Sequence, residues 1–318
     1  MQPDVSFIIA AYNAEGTIGR AIESALAQRD VSVEVIVADD RSGDATITVA
    51  QSFDGRVCVV PLQVNRGPGG ARNAALRVAR GRWIAVLDSD DVVLPDRMAK
   101  MIARAEKAGV SIAVDNIEVV KEHEAQGDVM FPPAYLESVR EISLADFIAS
   151  NILFKSTFNF GYMKPIFERR LIETHKLRYD ETLRIGEDYI FLASALAKGG
   201  SCVVEPDVGY VYHIRSGSIS RVLELHHVIS MLKADETFLK TVELDNRESA
   251  AQRRRTRSLH EARSFLSLVG HIKQRSVGQV LKVAMQDPAA LRHLGMPIAA
   301  RLRRLTASSR SLNPAKQS

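Results

Sequence analysis

The sequence predicts an α/β protein, three layers deep, with helices covering a mostly parallel central sheet. Short apolar runs at residues 5–10, 33–38, 57–61 and 83–87 alternate with helix-length stretches, and crossovers of that length join parallel strands. The runs are continuous rather than alternating, the mark of strands buried on both faces. Several end in carboxylates, which an open α/β sheet gathers along its C-terminal edge, where such sheets bind ligands.

The first run ends at Ala11-Tyr12-Asn13, and residues 14–28 then place Ile18, Ala21, Ile22, Ala25 and Leu26 at the spacing of a helix packed on a sheet. The second ends at Asp39-Asp40 and precedes a helix over 45–53; the third leads into a glycine-rich segment, 65–73, and a helix through Ala79. The fourth stops abruptly at Asp88-Ser89-Asp90-Asp91. A helix over 95–107 and a strand over 111–116 follow, and then the alternation gives way to a Pro132-Pro133 break, a helix over 144–152 and a mixed stretch over 158–167. Gly186-Glu187-Asp188 opens a helix to Ala197, and two last strands are expected at 202–205 and 209–213. Beyond Leu225 the pattern is helical and basic, and 308–318 has the composition of disorder. The expected organisation is a domain over 1–224, divided near 116, with a helical extension over 225–318.

With 318 residues, 46% of them hydrophobic and 25% charged, the chain can bury a sizeable core. Cys58 and Cys202, the only cysteines, lie in apolar strand-like contexts, so buried free thiols are expected rather than a disulfide framework or a zinc site. That usage fits a reducing cytoplasm. The N-terminus has no basic flank, so no signal peptide is expected, and no apolar run reaches the roughly 18 residues of a bilayer span. The net charge of +4 is uneven: from Asn246 onward there are 15 Lys and Arg against 3 Asp and Glu.

Three carboxylates in four positions, Asp88, Asp90 and Asp91, repel one another unless a cation compensates them. Hard oxygen donors favour Mg2+ or Mn2+, which grip phosphates. An acidic turn capping the next helix is the plainer reading of such a motif, and Asp39-Asp40 suits helix capping as well as ligand contact. The glycine-rich segment would let backbone approach a phosphate with Arg72 supplying charge, or form a simple turn. There is no P-loop pattern, and the first strand lacks GxGxxG.

Together the motifs Ser6 to Asn13 with Glu15, Val37-Ala38-Asp39-Asp40-Arg41-Ser42, Asn65-Arg66-Gly67 with Gly70-Ala71-Arg72-Asn73, Leu87-Asp88-Ser89-Asp90-Asp91 and Gly186-Glu187-Asp188 resemble the family 2 glycosyltransferases. These are inverting enzymes of the Rossmann-like GT-A fold, and the likeness is to the bacterial exopolysaccharide type. It extends to Tyr212-His213 and the Ser/Gly-rich residues after it, but not to the tail. The resemblance implies a nucleotide-sugar-binding half over 1–116 and an acceptor-binding half over 117–224. Asp90 with Asp88 would hold Mn2+ or Mg2+ on the donor diphosphate, and His213 would be a further metal ligand or else a packed structural histidine. Asp40, Ala11, Tyr12, Asn13 and Glu15 would line the nucleoside pocket, with Arg72 and Ser89 near the ribose and diphosphate. Asp188, beside Glu187, would be the base.

The implied donor is a UDP-sugar, glucose by family habit, and the implied acceptor a lipid-linked saccharide, in surface polysaccharide synthesis. Two departures stand out: Ala10 and Ala11 precede Tyr12 where many relatives have a proline, and the QxxRW motif of processive synthases is missing. One sugar added per encounter is the expectation. The run before Asp88 also fits a haloacid-dehalogenase-like phosphatase using Asp88 as nucleophile, though that motif normally begins its domain; a non-catalytic sugar-nucleotide-binding module is the other alternative. The basic tail, with Gln252-Arg253-Arg254-Arg255 and an amphipathic stretch at 296–305, suits an anionic membrane surface. A solvated charged face or pairing in a homodimer would use it equally. No aromatic residues are interleaved with these arginines, so nucleic acid is not expected as a partner.

Overall fold

The computed structural model describes residues 2–122, 124, 126–155, 159–199, 201–214, 223–288 and 291–292. The tail stretches at 296–305 and 308–318, and residues 215–220 of the Ser/Gly-rich motif, lie outside them. The N-terminal part alternates as the pattern requires: β1 (Val5–Ala11), α1 (Ile18–Leu26), β2 (Val33–Asp39), α2 (Thr46–Gln51), β3 (Val57–Pro61), α3 (Gly67–Val78) and β4 (Trp83–Asp88). After it come β5 (Val92–Val93), α4 (Arg97–Ala108), β6 (Ile112–Lys121), β7 (Asp128–Val129), α5 (Pro133–Val139), β8 (Glu141–Ile142) and α6 (Leu144–Ser150). The chain continues through β9 (Ile166–Glu168), α7 (Arg169–Thr174), α8 (Glu187–Ala197) and β10 (Cys202–Ile214), and then α9 (Leu225–Leu239), α10 (Asn246–Lys273) and α11 (Val277–Gln286).

One sheet runs in the order β3-β2-β1-β4-β9-β6-β10-β5, with β7 on β6 and β8 on β10. The long pairings, β3 with β2, β2 with β1, β1 with β4 and β6 with β10, are parallel, while the short strands β5, β7, β8 and β9 join antiparallel. The apolar runs of β1, β2 and β4 are buried, with no exposed surface at Phe7, Ile8, Ile9, Val37, Ala85 and Leu87, whereas the run of β3 is only half-buried to exposed. On α1 the predicted stripe Ile18, Ala21, Ile22 and Ala25 is the buried face.

Four expectations change. The glycine-rich segment is not a loop: from Gly67 onward it is the first turns of α3, because Asp40 accepts hydrogen bonds from the backbone N–H groups of Arg66 (2.6 Å) and Gly67 (2.8 Å) and so organises the helix start. The mixed stretch contains β9, wedged antiparallel between β4 and β6. The two last strands are one, β10, with register shifts between Glu205 and Tyr210; Pro206 falls in that irregularity, where a missing N–H is tolerated. Cys58 is exposed, on the outermost strand β3, and only Cys202 is buried.

The principal core extends from Val5 through the sheet to Phe238 and Ala251, so α9 and α10 contribute to it. A smaller cluster joins Val228, Met231 and Leu232 of α9 to Leu259 and Ala262 of α10. Arg255 of α10 pairs with Asp235 of α9 (2.9 Å) and donates to the carbonyl of Asn151 (3.0 Å), tying both helices to the end of α6. In α11 no residue is buried. Among the described residues no helix is long and apolar enough to cross a membrane.

Candidate active site

The register aligns the strand ends. Ala11 pairs with Asp39 and Ala10 with Asp88, so the ends of β1, β2 and β4 emerge together. At the end of β1, Ala11 is buried and its carbonyl accepts from the Asp40 N–H (2.8 Å). Tyr12, half its surface exposed, and Asn13 stand at the rim. Asn13 Oδ1 accepts from the Gly43 N–H (2.8 Å) and Glu15 Oε2 from the Ala45 N–H (2.9 Å), so both hold the loop that follows β2. The acids of β2 do not cap α2. Asp39 accepts from the Ser42 N–H (2.9 Å), and Asp40 serves the start of α3. Burial raises the Asp40 carboxyl above its ordinary value, opposed by the Arg66 and Gly67 N–H bonds and by the Arg184 charge.

The centre of the site is a set of crossing ion pairs. Arg72, on α3, reaches Asp88 Oδ1 at the end of β4 (2.7 Å), Glu187 Oε1 (2.7 Å) and Asp188 Oδ1 (2.9 Å) in the first turn of α8. Lys164 Nζ bridges Asp88 Oδ2 (2.7 Å) and Asp188 Oδ2 (3.3 Å). The side chains of Arg72 and Lys164 are only 5% and 12% exposed, whereas Asp88 and Asp188 keep 24% and 28%, so the carboxylates form the open side of the cluster. Burial acts to raise Asp88, but the Lys164 and Arg72 charges overcome it and hold the carboxyl well below the usual range. Burial and the neighbouring Asp188 push Glu187 up, against the pull of Arg72. Burial alone would weaken the Lys164 ammonium, yet Asp88 and Asp188 keep it firmly protonated.

Two features place Asp188 here. Gly186 precedes α8 with φ +91°, a conformation L side chains rarely adopt. Asn73, next to Arg72, exchanges hydrogen bonds with the backbone of Tyr179 in both directions (2.9 Å each), drawing the approach to α8 against α3. Asp88, Arg72, Glu187 and Asp188 therefore come together, with Arg72 at their middle.

Behind the cluster, Asp91 is buried and braces β10: its carboxylate accepts from the Tyr210 hydroxyl (2.8 Å) and the His213 N–H (2.8 Å). Burial together with Asp88 and Asp90 raises its carboxyl far above the ordinary value. His213 thus reaches the acidic turn first through its backbone, and its ring Nδ1 lies 3.9 Å from Asp91 Oδ1. Arg97 forms a fully buried bidentate pair with Asp115 (2.7 and 2.8 Å) and donates to the carbonyl of Lys164 (2.5 Å). Gly209 leaves room for this pair, since a Cβ there would sit 2.2 Å from Asp115 Oδ2. Sequence reasoning missed Lys164, Arg97, Asp115 and Tyr210. The only trace of Lys164 is a lysine before Pro165 at the head of a short apolar run.

Comparison with known proteins now decides the family. Residues 6–171, from β1 into α7, match the model of the glycosyl transferase family 2 domain. The chain belongs to that family. It is 59% identical over 317 residues to the succinoglycan biosynthesis protein ExoO of Rhizobium meliloti, covering 99% of this chain and 90% of that protein. It is 35% identical over 296 residues to ExoU of the same organism, covering 91% and 84%. A β-1,3-glucosyltransferase of Escherichia coli, WfaP, is 31% identical over 217 residues, 68% of this chain and 79% of that one. In fold this family 2 glycosyltransferase is similar to S. aureus TarS 1-349 solved with UDP, at TM-score 0.61 and 21% identity over 84% of this chain and 74% of that chain. It is also similar to a Pyrobaculum calidifontis mannosyltransferase solved with GDP-Man and Mn2+, at TM-score 0.59 and 18% identity over 95% and 81%. The fold is GT-A, and membership removes the phosphatase alternative for Asp88.

Among the described residues of this family 2 enzyme, no three His, Cys, Asp or Glu side chains gather into a preformed metal cage. A cation that arrives on a diphosphate needs only one or two protein carboxylates, the rest of its shell being phosphate and water. Half-buried Asp90, two positions after Asp88, fits that demand in donor type. Asp88 itself has one oxygen on Arg72 and the other on Lys164.

Proposed function

We propose that this glycosyltransferase moves a hexose, glucose by its likeness to WfaP, from a UDP-sugar to a lipid-linked saccharide in exopolysaccharide assembly, with inversion at the anomeric carbon. The observation that carries this reading is the juxtaposition of Asp88, at the end of a donor-side strand, with Asp188, at the start of the helix opposite, through Arg72 and Lys164. The printed names of relatives support the substrates: WfaP is described as acting with UDP-Glc on a GlcNAc-diphosphoundecaprenol, and TarS was solved with UDP and with UDP-GlcNAc.

In this reading Asp188 takes the proton of the acceptor hydroxyl as its oxygen attacks the anomeric carbon and the bond to the diphosphate breaks. Glu187, held on Arg72, stays behind it as support. Asp40 uses one lone pair of each oxygen on the α3 backbone, which leaves acceptor capacity for a nucleobase N–H. Ala11, Tyr12, Asn13 and Glu15 complete the nucleoside side, and Ser89 with Arg72 faces ribose and diphosphate. Asp90, with Asp88 and His213, would hold Mn2+ or Mg2+, which when bound would supply positive charge to the leaving diphosphate.

The enzyme works, in this proposal, at the inner face of the cell membrane. On α11, Val277, Leu281 and Met285 turn outward with 69%, 58% and 76% of their surface exposed, and Lys273, Arg275 and Lys282 stand exposed beside them. An outward apolar stripe flanked by cations suits an anionic leaflet. Flotation with anionic and zwitterionic vesicles tests this, and equal failure to bind both would overturn it. For the reaction, UDP release from a panel of UDP-sugars is measured with a lipid-linked acceptor, with Mn2+ or Mg2+ and with EDTA. Acceptor-dependent, EDTA-sensitive release is expected; no release with any UDP-sugar would sink the donor assignment.

A further inference from the structure

We propose that Lys164 is a positioning residue for the transfer step, its ammonium holding Asp188 against the donor-side acid Asp88 and aiming the carboxylate at the acceptor hydroxyl. This deepens the reading of Asp188 as the base and rests on it. Three observations carry it. The first is charge balance. Arg72 contacts Asp88, Glu187 and Asp188 at once, so a single guanidinium faces three carboxylates, and Lys164 supplies the second cation, on the oxygens of Asp88 and Asp188 that Arg72 does not take.

The second is the rigidity of its mounting, unusual for a lysine. Register pairs Ala85 with Ile166 and Ile84 with Phe167, which carries Lys164, two residues before Ile166, to the same sheet edge as Asp88. Pro165 follows with its φ locked by the ring. The Lys164 carbonyl accepts from Arg97, whose guanidinium is itself fixed on Asp115. The backbone that launches the side chain is therefore tied to β4, β6 and α4. The third is chemistry. An ammonium is a compact point charge with three rotatable donors, and here it bridges two carboxylates carried by separate elements. Asp188 Oδ1 is set by Arg72 at 2.9 Å, and Oδ2 by Lys164 at 3.3 Å, the longer and looser of the two contacts. Oδ2 is the oxygen that receives the proton, and Lys164 sets its direction.

The test uses the full chain with K164M, K164R, D188N and the K164M/D188N double variant, measuring UDP affinity by calorimetry, turnover by UDP release and folding by thermal melting. K164M should leave UDP affinity within about 3-fold while turnover falls by about 10²-fold, the cost of a displaced reacting group. K164R, which keeps the charge, should recover part of that loss. The double variant should be no slower than D188N alone, because one effect acts through the other. If D188N abolishes transfer while K164M turns over within about 3-fold of the parent, Lys164 is not a positioning residue and the base assignment survives. Transfer intact in D188N would instead remove the base reading itself. A K164M effect on UDP affinity alone would make Lys164 a donor-binding group and overturn the proposal. Should K164M fail to fold, K164R decides: unchanged melting with unchanged turnover, when the donor geometry has changed, counts against it.

Discussion

Arg72 and Arg97 are both buried arginines whose guanidinium groups meet carboxylates near the sheet, and the protein uses them in opposite ways. Arg97 closes on one carboxylate, Asp115, through two parallel hydrogen bonds, and both side chains are sealed, at 0% and 1% exposure. Arg72 is shared among three acids, two of which remain about a quarter exposed. A closed pair is neutral and braces the structure. An open one leaves carboxylate oxygens within reach of solvent. The same residue type thus marks a support or a site according to how many carboxylates it must satisfy and whether water reaches them.

Four experiments would break or sharpen this contrast. The largest effect should come from the open cluster: Asp188→Asn is expected to lower turnover by about 10²- to 10⁴-fold, the usual contribution of a positioned base, with UDP affinity and melting temperature little changed. A large loss of UDP affinity would place Asp188 on the donor instead. In the closed pair the loss should be one of stability. Arg97→Met leaves Asp115 buried without its cation and should cost about 3–5 kcal/mol in chemical denaturation; a variant as stable as the parent would show that the pair is no brace.

Asp90→Ala should weaken Mn2+-dependent UDP binding by about tenfold, roughly 1.4 kcal/mol, and leave metal-free binding alone, as calorimetry with and without EDTA would reveal. Equal losses in both conditions would remove Asp90 as the cation's anchor. The smallest effect lies farthest from the site. Asp245 and Glu248 form a reciprocal capping box at the start of α10, with bonds of 2.7 and 2.9 Å, and α10 carries Arg255 in a closed pair with Asp235. Asp245→Ala should cost about 1 kcal/mol of stability with turnover unchanged; slower turnover would mean that α10 reports to the site after all.

Much of the architecture was legible because its signals are local. The apolar runs of β1 to β4 and the stripe on α1 lie within a few residues of one another, and the carboxylates that end β2 and β4 announce a functional edge. Gly186 before Glu187-Asp188 marked the start of α8 correctly. Legibility fell where a short strand is specified by its neighbours. β9 has three residues and exists because β4 and β6 leave a gap for it. β10 read as two strands, 202–205 and 209–213, because the residues between them form a bulge rather than regular strand. The glycines of 67–70 read as a loop, since nothing nearby in sequence hinted that Asp40 would cap the helix they begin.

By itself the sequence determined the α/β alternation, written in adjacent residues and their periodicity, and its motifs carried the resemblance to the family and the acids at the strand ends. Which cation satisfies which acid was decided only by the tertiary structure. Arg72 and Glu187 are 115 positions apart, Lys164 comes from a stretch with no pattern of its own, and neither partnership has a local signature. Burial set these pairings: once packing removes water from Arg72 and Lys164, each must find carboxylates within reach, and the acids at the ends of β4 and the start of α8 are the ones the fold delivers.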